Sequence, residues 1–330
     1  MNTNQIDVKE NTIKAIDPKI LLFLLKDKTT RKNITWATDD YVSYGEGYAS
    51  SDEITVKAIS GKNGEIIKPR IEKSKEEQSA RARDKAEVFT PSWVCNKQNN
   101  LVDHAWFGYE NVFNTETNNG WVTNENKVQF PNTKGKTWQD YVKANRLEIS
   151  CGEAPYLASR YDTVTGVMIP VKDRIGLLDR KLRVVSENVD SEPEWVHWAT
   201  RAVQSVYGYD WQGDNVLLAR ENILYTFAEH YKDKFVVPAI KEYLIKIAKI
   251  AAWNIWQMDG INFVVPNSCH PVEESTLTMF GEETALHDCP GCAKSDHSQH
   301  NGIYCRIYDW PSNESVEFYS FIKKGVCQNG

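Results

Sequence analysis

RLEISCGEAPYLASRYD, Arg146 to Asp162, decides how this chain is read. It has the outline of a strand that stops at Ser150-Cys151-Gly152 and hands over to a helix. Turns of this kind lie at the carboxyl ends of strands in α/β proteins, where ligands bind. Downstream, SVYGYD reads as a second strand that ends in Asp210, and NVLLARENILYTFAEHY as the helix after it. IPVKDRIGLLDRKLRVVSENV, SEPEWVHWATRAVQSV and PAIKEYLIKIAKIAAWNIW place apolar residues three and four apart and predict further helices. Alternating strands and helices predict an α/β fold with a doubly wound, mainly parallel sheet.

Upstream, residues 1–70 read as a small N-terminal α+β region. PKILLFLLKD forms a short apolar element there, NITWATDDYVSYG and DEITVKAISGKNGEIIKP are β-like, and Gly61 and Gly64 mark a hairpin. EKSKEEQSARARDKAE, Glu72 to Glu87, reads as a solvated helix, with a DNA-facing helix through Arg81, Arg83 and Lys85 as the alternative. Pro91 fixes a turn before a helix from Ser92. Residues 71–268 are assigned to the ligand-binding domain and 269–330 to a metal-binding insertion with a final strand.

The chain has 330 residues, 41% of them hydrophobic, so it can bury a sizeable core. A formal net charge of -6 gives no overall footprint for nucleic acid and leaves DNA to a local patch or a basic partner. The longest apolar run, Ile20 to Leu25, is too short to span a bilayer, and the N-terminus lacks a signal-peptide pattern. A cytoplasmic protein without membrane attachment is expected. Seven cysteines without a secretion signal argue against a disulfide framework. HDCPGCAKSDHSQHNGIYC spaces Cys289 and Cys292 for a zinc knuckle, with Cys305 as a third thiolate. His300 leads as fourth ligand of a structural zinc, ahead of His297, His287 and Cys269. Cys95 and Cys151 read as buried thiols, and most of the eleven tryptophans as core.

A nucleoside cofactor on such a sheet needs a tight turn after one strand and an acid at the end of the next. Gly152 supplies the turn, Asp210 the acid, and Glu148 can orient the loop. With AEVFTPSWV, LEISCGEAPYL, YGYDWQGDNVLLARENILYTF and NIWQMDG in this order, residues 80 to 265 resemble the adenine-specific (N6) DNA methyltransferases of restriction-modification systems, restriction subunit M type. The CRIYDW segment extends the resemblance. It implies S-adenosylmethionine as cofactor. Phe89, Thr90 and Pro91 then pack on the methionine end, Glu148 to Ala154 with Cys151 and Gly152 form the cofactor turn, Asp210 holds the ribose, and Asp259 lies near the adenine amine.

Two departures stand out. Ala154 replaces the second glycine of the turn, and Glu153 a small polar residue; its carboxylate would repel that of the cofactor unless it points away. The Asn/Asp-Pro-Pro-Tyr/Phe loop that polarises the adenine amine and stacks the flipped base is missing. VVPNSC and DWPSN are its nearest approximations. No catalytic residue is assigned. The expectation is the cofactor-binding part of a split enzyme, inactive alone, which meets DNA in a complex with a protein that carries the catalytic loop and target recognition. The alternative is a non-catalytic methyltransferase-like protein that inhibits or decoys a defence system.

Overall fold

The computed structural model describes residues 6–7, 9–85, 87–88, 90–278 and 281–322. The chain opens with α1 (Glu10–Ile16) and α2 (Pro18–Leu25). Asp17 separates them and caps α2 by accepting the Lys19 N–H at 2.8 Å. After a long irregular segment come α3 (Lys75–Lys85) and α4 (Ser92–Phe107), then the antiparallel hairpin β1 (Asn114–Thr117) and β2 (Gly120–Thr123). Next are α5 (Trp138–Lys143), β3 (Arg146–Glu148), α6 (Leu177–Asn188), α7 (Glu192–Gln204) and β4 (Val206–Asp210). The 23-residue α8 (Gly213–Phe235) is followed by α9 (Lys241–Asn254) and β5 (Ile255–Gln257). The last part holds the hairpin β6 (Val272–Thr278) and β7 (Gly281–His287), α10 (Pro290–Lys294), and the hairpin β8 (Arg306–Asp309) and β9 (Glu314–Glu317).

β3, β4 and β5 form a parallel sheet in which Glu148 pairs with Gly208 and Asp210 with Gln257. All five residues of β4 are buried, as the middle strand of a covered parallel sheet requires. The three strands stand in chain order, so the reversal that defines a doubly wound sheet does not occur among them. The shared architecture is therefore mixed α/β with a three-stranded parallel sheet. No helix among the described residues is long and apolar enough to cross a membrane.

Three local expectations change. Residues 34–69 form isolated bridges and 3-10 turns instead of strands, and Gly61 opens a 3-10 turn instead of a hairpin. Here side chains take over the pairing. Asn11 brackets Gly61 from both sides (2.7 and 2.9 Å), the Trp36 indole donates to the Gly47 carbonyl at 3.0 Å, and Trp36 packs on Tyr41 and Tyr48. No helix follows Gly152. Gly152 and Ala154 take left-handed φ of +52° and +61°, and Pro155 has no N–H, so a right-handed helix cannot continue through them. Finally, α3 is pinned rather than solvated along its length, because Arg81 is only 4% exposed.

One contiguous core joins Ile13, Leu21, Leu24 and Trp36 of the N-terminal region to Leu178, Trp195, Leu217 and Ile255. Gly213 shows how close the fit is: a Cβ there would lie 1.9 Å from the Thr35 carbonyl oxygen. A smaller cluster gathers Tyr209, Trp256, Cys305 and Phe318 on the far side of the sheet edge.

Candidate cofactor cleft and metal centre

A cleft of about 340 Å³ opens at the carboxyl ends of β3 and β4, within the usual size range of small-ligand sites. Thr90, Glu148, Cys151, Gly152 and Asp210 line it, so residues from three distant parts of the sequence meet as expected. Asp210 Oδ2 accepts the Gly152 N–H at 2.9 Å, while Oδ1 accepts the Gln212 N–H at 3.0 Å and the Asn215 amide at 3.4 Å. Glu148 accepts the N–H groups of Tyr156 (3.4 Å) and Leu157 (3.2 Å), which fixes the turn from beneath. Burial raises the pKa of both carboxyl groups, Glu148 well above the usual range, against the N–H donors that lower it. Burial also keeps the Cys151 thiol protonated.

Glu153 turns away from this cleft. Its carboxylate accepts the Arg70 N–H and the Tyr161 hydroxyl, both at 2.6 Å, and so faces the N-terminal segment. Ala154, though not glycine, adopts the left-handed conformation that a glycine would adopt easily.

The other residues assigned to the cofactor are placed differently. Pro91 precedes α4, whose first N–H, of Ser92, donates to Asp162 at 2.7 Å. Phe89 lies outside the described residues. Asp259 follows β5 at the same end of the sheet but does not line the cleft. Both of its oxygens serve its own loop, accepting Ile261 and Asn262 N–H groups (2.9 and 3.0 Å) and the Asn262 amide (2.7 Å).

Sequence reading missed Lys85, Glu87, Tyr156, Trp211, Gln212 and Asn215, which also line the cleft. The nearness of 211–215 to Asp210 was the available signal. Glu87 arrives through α3: Arg81 donates to Glu87 at 2.6 Å and to Asp40 at 2.9 Å, and approaches Asp214 at 3.0 Å. Lys73 (3.1 Å), the Tyr41 hydroxyl (2.7 Å) and the Asn215 N–H (2.9 Å) also contact Asp214. Despite full burial, these cations hold the Asp214 carboxyl far below its usual range. The basic residues of α3 therefore form no DNA-facing row: Arg81 is buried, Arg83 pairs with Asp84, and Lys85 lines the cleft.

Cys269, Cys289, Cys292 and His300 bring one ligand atom each to within 4.8 Å of one another. His300 Nδ1 lies 3.6, 3.7 and 3.6 Å from the Sγ atoms of Cys269, Cys289 and Cys292. A tetrahedral zinc with ordinary bond lengths separates sulfur from nitrogen by about 3.6 Å. The donor set is thus suited to a zinc ion. Burial opposes ionisation of Cys289, but the N–H of Asn301 at 3.3 Å and His300 outweigh it and bring the thiol down to about 6. Cys305, assigned to this set from its spacing, lies elsewhere. It is fully buried under the sheet edge, its thiol donating to the Gln257 carbonyl at 3.4 Å, and Cys269 takes its place. Neither His297 nor His287 joins the cluster. Cys269 and Cys289 flank the β6–β7 hairpin, so an ion held by them closes its base.

Comparison with protein-family models, curated proteins and solved structures finds no match to this chain.

Proposed function

We propose that the chain is the S-adenosylmethionine-binding part of a split adenine-N6 DNA methyltransferase, with the three parallel strands belonging to a doubly wound sheet of the methyltransferase type. The observation that carries this reading is the meeting of Asp210 with the left-handed turn at Gly152 in one cleft. A carboxylate there can exchange its loop contacts for two ribose hydroxyls, while Gly152 leaves room for the cofactor backbone to approach. Thr90 and Pro91 then face the methionine end. Asp259 would reach an adenine amine after releasing Asn262. The chain's own part is to bind and orient the cofactor; a second polypeptide brings the Asn-Pro-Pro-Tyr-type loop, the target recognition and the DNA. A zinc ion at Cys269, Cys289, Cys292 and His300 would be structural and would hold the base of the hairpin. Calorimetric titration of the chain with S-adenosylmethionine, with and without DNA, tests the reading, and no heat of binding in either condition refutes it.

A second reading is favoured by one stretch. Residues 270–293 carry five carboxylates and no lysine or arginine, a charge pattern that can imitate a phosphate backbone. Under this reading the chain is a non-catalytic inhibitor or decoy of a defence system. A partner that restores methyl transfer argues against it.

A further inference from the structure

Against a net charge of -6, residues 26–32, KDKTTRK, hold four cations and one carboxylate. The fold removes that carboxylate from the surface: Asp27 is 4% exposed and accepts the N–H groups of Thr29 (3.2 Å) and Thr30 (2.8 Å). The cations stay outside. Lys26, Arg31 and Lys32 are exposed, as are Lys249 on α9 and Arg306 on β8. Arg306 adjoins the loop, donating its backbone N–H to the Thr29 hydroxyl at 3.0 Å, while its guanidinium donates to the Ser315 hydroxyl and carbonyl. Among the described residues, none of these cations, nor Lys28, lies within ion-pairing distance of a carboxylate.

Aromatic rings lie among them. The Lys28 ammonium sits 6.0 Å from the ring centroid of Phe23 and 5.8 Å from that of Trp253, and Lys249 lies 4.8 Å from Phe23. Trp253 packs on Tyr308 at 5.2 Å, and both are half-buried. Beneath the loop, the fully buried Arg220 spends its guanidinium on carbonyls, among them Ile255 (2.8 Å) and Lys26 (3.1 Å). Its charge adds to that of the loop, with the buried Asp27 as the nearby carboxylate that offsets part of it. The Lys28 pKa is lowered by burial and then by Arg220, Lys249 and Lys26, the mark of like charges crowded together. Such crowding costs free energy unless an anion relieves it. Lys249 and Trp253 lie on α9 just before β5, and none of the residues of this face lines the cleft.

We propose that this face, built from Lys26, Lys28, Arg31, Lys32, Lys249 and Arg306 around Phe23, Trp253 and Tyr308, binds single-stranded nucleic acid. Unpaired cations track the phosphates, and half-exposed rings offer surfaces on which bases stack. The ammonium groups of Lys28 and Lys249 lie over the Phe23 and Trp253 rings, so charge and aromatic surface occupy one patch. The inference goes beyond the cofactor reading and does not depend on it, since it concerns a different face and is tested without cofactor.

Fluorescence anisotropy of the full chain with a labelled single-stranded oligonucleotide of twenty nucleotides measures it. Binding should weaken with salt, with a logarithmic slope of about -3 for four to five phosphates. K28E/K249E and, separately, the exposed pair R31E/K32E should each reduce affinity tenfold or more, and the exposed loop variant K134E should not. Circular dichroism melts verify that the variants fold. Unchanged affinity in the folded double variants overturns the proposal. So does tighter binding to the matching duplex, or loss on charge reversal of binding to phosphatidylserine vesicles but not to the oligonucleotide.

Discussion

Asp210 Oδ2 and the Gly152 N–H, 58 residues apart in sequence, lie 2.9 Å from each other and join the end of β4 to the turn after β3. The bond holds the cleft in shape and occupies the oxygen that a ribose would claim. Binding therefore trades one N–H acceptor contact for two hydroxyl contacts. Asp210→Ala removes the charge-assisted acceptor, worth about 1.5 to 3 kcal/mol, and should weaken S-adenosylmethionine binding tenfold or more. Calorimetry on the folded variant checks this, and undiminished affinity would take Asp210 out of the site.

The metal cluster separates two cysteines that spacing alone does not. Protein purified without chelator should carry about one zinc per chain, because a closed thiolate site retains its ion. Cys269→Ser should lower the metal content to well under half an equivalent. Cys305→Ser should leave it unchanged, since that thiol meets Gln257 instead. Elemental analysis of the two variants decides between the ligand sets, and the reverse pattern would restore the assignment from spacing.

Why spacing failed for Cys305 and succeeded for Cys289 and Cys292 is physical. A Cys-x-x-Cys turn is local, so its two sulfurs converge whatever the rest of the chain does. The other ligands depend on which strand ends the fold brings to the hairpin base, and Cys269 lies 20 residues before Cys289, across β6 and β7. The same contrast runs through the cleft. β4 with Asp210 at its end was legible because a buried strand and its following helix have clear patterns. The lining by Lys85 and Glu87 was not, because it depends on the long-range ion pairs of Arg81 with Asp214 and Asp40. The missing helix after Gly152 has a local cause in the two left-handed residues, which Pro155 alone did not reveal.

Burial also stores a pH dependence far from the cleft. Glu10 and Glu221 are buried, each with one carboxyl oxygen lacking a hydrogen-bond partner. Burial pushes Glu10 up to about 8, Asp7 up to about 7 and Glu221 well above its usual range; repulsion from Asp7 adds to Glu10, from Glu10 and Asp7 to Glu221, and from Glu72 and Glu65 to Asp7. Carboxyl groups with raised folded pKa values stabilise the fold fully below their unfolded values and lose that contribution as pH rises through the folded ones. Stability from this cluster should thus decline between about pH 4 and 8. Glu10→Gln, neutral at every pH, should gain on the order of 4 to 5 kcal/mol over the parent at pH 8.5 and show little difference at pH 4. Thermal melts of both proteins at the two pH values give the comparison; a gain that does not change with pH would show that Glu10 does not titrate in this window.

Activity follows from what the sequence lacks. The Asn/Asp-Pro-Pro-Tyr/Phe loop supplies the acceptors that polarise the adenine amine and the ring that stacks the extruded base. Without it, transfer loses an electrostatic and a positioning contribution, each worth several kcal/mol of barrier. The chain alone should bind cofactor and transfer no methyl group to DNA at a measurable rate. A partner that bears the tetrapeptide should restore transfer by docking at the carboxyl ends of β3 to β5, beside Asp259. Asn267, exposed two residues before the candidate metal ligand Cys269, is a group that could imitate the missing acceptor. Incubation of the chain with tritiated S-adenosylmethionine and mixed-sequence DNA, alongside Asn267→Ala, separates the possibilities. Absence of incorporation supports the split arrangement; robust incorporation into adenine that Asn267→Ala abolishes would replace it with a self-sufficient enzyme whose acceptor is Asn267.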